Sequence, residues 1–219
     1  MLSPPPNISE RFHPFLKSIA ERVRSHRSAL QDLCVLEIDP DFKNVSSEVN
    51  GESVFICNEM HRARGIRKAH LEMANLGQGL EILHCVFFPD PAFNLPIFGV
   101  DVVVRSSAIS VAIVDLSPVS SNLPFSFLEA LEKRSKPSFC QVRELPEWGD
   151  IFSKYVHFIR PINSKEEELF LDVVDYYLSV LIDSLSSLAP EQLNSLSTID
   201  RRNHQNFYCL QQKRNDKTR

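Results

Sequence analysis

The chain has 219 residues, 43% hydrophobic and 24% charged, which is enough apolar material for a sizeable core and excludes a disordered chain. A formal net charge of -4 and a pI near 6.0 exclude a dedicated nucleic-acid binder, which needs a dominant basic field against phosphate. No run offers the roughly 20 consecutive apolar residues of a membrane-spanning helix, and Met1 to Pro6 is polar and proline-rich, unlike a secretory leader. Cys34, Cys57, Cys85, Cys140 and Cys209 are odd in number and never form a Cys-x-x-Cys pair, so they read as reduced thiols of a cytoplasmic protein.

From Phe12 to Leu30, the residues Phe15, Leu16, Ile19, Ala20 and Val23 recur at helical spacing between charged residues, which predicts an amphipathic helix. The period then changes to two, predicting strands at Cys34 to Ile38, Ser53 to Asn58, Arg67 to Ala74, Leu80 to Phe88, Phe98 to Val104 and Ala108 to Asp115. Asn50-Gly51, Gly77-Gln78-Gly79, Pro89-Asp90-Pro91 and Ser106-Ser107 separate them. These connectors are too short for crossover helices, so the strands should form an antiparallel meander. Helical patterns return at Pro124 to Lys133, at Lys165 to Leu188 with Asn163 or Ser164 as N-cap, and from Pro190 towards Tyr208. Helices at both ends of the chain with a sheet between them predict an α+β fold, a three-layer α/β/α sandwich with a central antiparallel sheet, in one domain over residues 1–219.

Glu72, His84 and Asp101 interrupt strands that are otherwise apolar. Ionisable groups inside a sheet are costly unless paired or able to give up their charge, so three of them converging suggests proton chemistry. Alternation puts His84 with Val86 and Phe88 on one face, and a hairpin across Pro89 to Pro96 can bring Asp101 beside it. Glu72 alone also reads as an edge or solvent-facing residue. Asp115 reads as a turn or capping group, and Arg143 with Glu144 as a surface pair. His61, His70, His157 and His204 show no metal-ligand spacing. There is no Gly-x-Gly-x-x-Gly, no Walker lysine and no Gly-x-Ser-x-Gly, so no cofactor site is visible and any redox chemistry must borrow its electrons from elsewhere.

Longer motifs carry more. Arg67-Lys68-Ala69-His70-Leu71-Glu72, Gly79 to Val86, Leu95 to Asp101, Ala112 to Pro118, Arg143 to Gly149, Phe158 to Pro161 and Asn215 to Arg219 together span most of the chain from about Val54 onward. In these segments the sequence resembles the ferredoxin-dependent bilin reductases. That resemblance implies reduction of biliverdin IXα, an open-chain tetrapyrrole, through bilin radicals. Single electrons come from a reduced 2Fe-2S ferredoxin, and no cofactor or metal is bound. It implies that His84 and Asp101 donate protons beneath the bilin carbonyls and that Glu72 serves the D-ring vinyl. It also implies a site role for Asp216, because the matching aspartate on the family's last helix can reach the pocket. Ser110, Arg143 and Lys217 match positions that hold the propionates. Glu72 together with His84 is the pattern of the members that carry out a four-electron reduction to phycocyanobilin; relatives forming phycoerythrobilin or dihydrobiliverdin differ there. Arg62, Arg64, Arg67 and Lys68, with Lys213, Arg214 and Arg219, could dock an acidic ferredoxin. Family members usually continue past this match into a further helical tail, so the expectation for this chain is a partly uncovered pocket or a weaker last helix. A monomer without nucleic-acid or membrane partners is expected. A non-catalytic tetrapyrrole carrier is the competing reading from another class.

Overall fold

The computed structural model describes residues 12–147 and 149–216, the last three as backbone only. The first helix, α1 (Pro14–Ser28), starts where His13 accepts a hydrogen bond from the Phe15 amide and Pro14 fills the first turn. It buries the five apolar residues that set its period. A two-residue strand, β1 (Cys34–Val35), a short helix, α2 (Pro40–Lys43), and β2 (Asn44–Val49) lead into the long strands β3 (Glu52–Ala63), β4 (Ile66–Asn75), β5 (Leu80–Pro89), β6 (Ile97–Arg105) and β7 (Ala108–Ser117). Then come α3 (Phe125–Lys133), the edge strand β8 (His157–Ile159), α4 (Ser164–Ser187) and α5 (Leu196–Asp216). Asn163 is the cap of α4, accepting from the Glu166 amide at 3.0 Å, and Glu166 and Glu167 sit at the positive end of the helix dipole.

Every strand pair is antiparallel, in the order β1-β3-β4-β5-β6-β7-β8, with β2 sharing the outer edge of β3. The expected strand at Cys34 to Ile38 stops at Val35, because Asp39 caps the turn that begins at Pro40. Sequence period misses β2, whose Asn-Val-Ser-Ser-Glu-Val is mostly polar. A tight Asn50-Gly51 turn with φ of 54° and 81° places it instead. The last helix begins at Leu196, later than Pro190, after a turn in which the Ser195 hydroxyl accepts from the Thr198 amide.

The two faces of the sheet are buried differently. Leu83, Cys85, Phe87, Phe98, Val100, Val102, Val114 and Leu116 point to one side and form a single core with α1, α3 and α4. The other side carries α5, whose Tyr208 packs with Val86, Phe88 and Ile97. Elsewhere on that side, alternate residues of β6 and β7, including Asp101, Val103, Val111 and Ile113, remain half-exposed. Phe170 of α4 is fully buried, 5.9 Å ring to ring from Phe15. Phe170→Ala should cost about 3–5 kcal/mol in urea unfolding, since it opens a cavity between α1 and α4 that neither can close.

Candidate active site

Strand pairing sets the site. Glu72 lies opposite His84, His84 opposite Asp101, and Asp101 opposite Ile113, so all four share one face of the sheet. Glu72 and Ile113 are three strand spacings apart, about 14 Å. This row is the floor of a trough between sheet and α5. Lys68, His70, Val86 and Phe88 continue the trough floor and Tyr208, Cys209 and Gln212 roof it, around a cavity of about 320 Å³. The side chains of His84 and Asp101 are 29% and 22% exposed, more open than strands of this apolarity predict.

His84 Nδ1 lies 2.5 Å from Asp101 Oδ1. An ionised carboxylate only accepts, so in that state the Nδ1–H of the ring donates to it. One row away, His70 Nε2 lies 2.7 Å from Asn58 Oδ1 and its ring stands edge-on to His84, 5.8 Å between centres. Burial first, then the neighbouring His84 and Lys68, push His70 down to about 4, so its imidazole is neutral and donates through Nε2 to the amide oxygen. Lys68 is half-buried, and that desolvation lowers its ammonium below the usual range. The roof rests on Tyr208, 5% exposed, whose ring meets Phe88 edge-on and whose hydroxyl accepts from Gln212. Gly99 permits that approach: a Cβ there would lie 3.2 Å from the tyrosine oxygen.

The remaining expected residues fall in different places. Arg143 Nη2 donates to the Ser110 backbone oxygen at 2.8 Å, which joins those two beside β7 but outside the lining of the trough. Asp216 closes α5; its side chain, like the whole of Lys217, lies outside the described residues. Asp115 is neither a turn nor a capping group. It is buried, accepts from Ser117 Oγ and from both the amide and hydroxyl of Ser153, and is pushed up to about 6 by burial that those bonds only partly offset. Of the cations considered for docking, Arg64 donates to the Leu185 and Leu188 carbonyls and Arg67 to Gln205. Both therefore fasten helices to the sheet. Lys68, His70, Tyr208, Cys209 and Gln212 are not expected in the site from the sequence. His70 could have been found, because it precedes Glu72 by two residues on the same strand; the three on α5 carry no local signal.

The arrangement offers a hydrogen-bonded acid–base pair, a second carboxylate in line with it and a neutral histidine, all facing a cavity whose walls mix these polar groups with Val86 and Phe88. Among the described residues no three His, Cys, Asp or Glu side chains are grouped to hold a metal, and no helix is long and apolar enough to cross a membrane. The sequence profile of the ferredoxin-dependent bilin reductases matches residues 20–219. The chain belongs to that family. This bilin reductase is 51% identical over 215 residues to the phycocyanobilin:ferredoxin oxidoreductase of Prochlorococcus marinus (strain MIT 9313), across 98% of this chain and 81% of the relative. It is also 51% identical over 210 residues to the protein of that name from Synechococcus sp. (strain CC9902), across 96% and 85%. Its fold is similar to that of tomato phytochromobilin synthase solved in complex with biliverdin, with a TM-score of 0.68 at 16% identity over 87% of this chain and 70% of that one.

The low protonation point of His70 has a measurable sign. Between pH 6.5 and about 4 the unfolded chain takes up a proton at this residue that the folded reductase does not, so the folded state loses stability as pH falls through that window. His70→Leu should therefore lose less stability than the parent over the same range, by about 2 kcal/mol after allowing for partial exposure. Urea midpoints measured at several pH values test this.

Proposed function

We propose that this bilin reductase converts biliverdin IXα to phycocyanobilin, taking four electrons one at a time from a reduced 2Fe-2S ferredoxin and adding four protons through the residues of the trough. The observation that carries the reading is the His84–Asp101 hydrogen bond, in one cross-strand row with Glu72 on the floor of a cavity. Each electron that enters the tetrapyrrole makes it more basic, and a proton donor held in place beside it then needs no solvent reorganisation to act.

In this reading His84 and Asp101 act as a unit. Asp101 holds Nδ1–H and stabilises the imidazolium, so that Nε2 can release a proton to the bilin and be reprotonated afterwards. Glu72 supplies the D-ring vinyl, and Asp216 is a further proton donor from α5. Ser110, Arg143 and Lys217 hold the two propionates by charge-assisted hydrogen bonds. The half-exposed apolar surface of Val103, Val111 and Ile113 suits the flat face of a conjugated ligand. The enzyme works as a cytoplasmic monomer folded in one domain, and carries no bound metal or organic group of its own.

The deciding experiment mixes protein, biliverdin and a reduced ferredoxin system without oxygen, and follows the visible spectrum and the chromatographed products. Phycocyanobilin supports the proposal, a different reduced bilin redirects it to another product, and unchanged biliverdin makes the protein a carrier. Asp101→Asn should lower turnover by at least 100-fold, since proton transfer by a positioned group contributes about 10²–10⁴-fold, while biliverdin still binds in a spectral titration. Loss of binding would make Asp101 structural. Glu72→Gln should yield a bilin that keeps its D-ring vinyl; full conversion to phycocyanobilin would overturn the role given to Glu72.

A further inference from the structure

A second cavity of about 220 Å³ lies on the other side of the sheet, where the segment after α3 crosses β8 and α4. His157 of β8 forms part of its lining. It is 7% exposed, meets Phe139 edge-on and lies tilted against Tyr177, with centre distances of 5.8 and 6.0 Å. Among the described residues its ring nitrogens find no hydrogen-bond partner. They are not among the enclosed polar atoms that lack a partner, which in the described residues are Arg27 Nη1 and His61 Nδ1, so they open onto the cavity, where a ligand atom can reach them.

The other walls narrow the chemistry. Tyr155, Tyr176 and Tyr177 line the cavity, and their hydroxyls are already committed to Glu132, the Ala130 carbonyl and the Tyr155 carbonyl respectively. They therefore offer ring surface to a ligand. Arg134 is held over the Tyr176 ring at 4.6 Å by its bond to the Asp172 carbonyl, and Lys136 has no ion-pair partner among the described residues. The one acid in the lining, Glu132, is engaged by Lys154 and Tyr155. Burial first, then Lys136 and Arg134, push His157 down to about 4, so the imidazole is neutral and the positive field of the rim reaches it. Aromatic walls select a flat ring, and two cations without a free acid beside them select a negative charge.

We propose that this cavity is a second ligand site, which takes a small planar aromatic carboxylate with its ring among the tyrosines and its carboxylate towards Arg134 and Lys136. It is independent of the bilin reading, because the sheet separates the two cavities.

The test titrates benzoate, and benzyl alcohol as its uncharged counterpart, into the full chain at neutral pH, with binding followed by NMR. Benzoate should bind at least 10-fold more tightly than the alcohol. Lys136→Met should weaken benzoate several-fold while leaving the circular dichroism spectrum and biliverdin affinity unchanged. His157→Phe should abolish benzoate binding by filling the space and removing the ring nitrogen. Equal binding of acid and alcohol, absence of benzoate binding to the parent chain, or an unaltered Lys136→Met affinity would overturn the site. Displacement of benzoate by saturating biliverdin would also overturn it, because benzoate would then be sitting in the trough.

Discussion

The register of β5 against both of its neighbours is the constraint on which the site depends. His84 meets Glu72 on one side and Asp101 on the other only in this alignment. A slip of one residue would turn His84 into the face packed by α1 and α4 and bring Leu83 or Cys85 into the trough. The alignment is held from the helix side, where Leu83, Phe87, Phe98, Val100 and Val102 are fully buried. Tight turns hold it at the strand ends, including a Ser106-Ser107 pair at φ of 49° and 64° that no glycine relieves. Packing on one face thus places the chemistry of the other.

That division of labour explains the uneven burial. The helix-covered face excludes water and supplies the hydrophobic stabilisation. The opposite face is sealed where Tyr208 sits over Phe88 and Ile97 and around Asp115, and stays half-open along the ionisable row. Groups that must change protonation are better placed there than in a dry core, where an unpaired charge would cost several kcal/mol. Asp115, one row from Asp101 on the same face, shows the contrast. Fully enclosed, it is held by Ser117 and Ser153 and joins β7 to the loop before β8.

Much of this is legible in the chain. The helical spacing of Phe15 to Val23 specifies α1 and its buried face, and the short connectors specify the antiparallel order of β3 to β7. The pairing of His84 with Asp101 follows from strand alternation and one hairpin. What escapes has no local signature. The polar strand β2 is fixed by its turn, and β8, at three residues, by pairing with β7. Tyr208, Cys209 and Gln212 reach the trough only because α5 is anchored by Arg67 to Gln205, Gln205 to the Pro89 carbonyl and Arg201 to the Pro91 carbonyl. The exposure of His84 escapes for a related reason: apolar neighbours along a strand report the burial of the opposite face as well as its own.

The segment that carries Arg143 has a second consequence. Val142 bridges Ile159, the Arg143 amide donates to the Phe158 carbonyl, and the Arg160 amide donates to Gln141. Three residues of irregular chain therefore occupy the outer hydrogen-bonding groups of β8, and an uncovered edge of that kind is where a second copy would add a strand. Stripping this segment from β8 would do more than move an arginine, since it would leave a ladder open to self-association and, at high concentration, to fibril-like stacking.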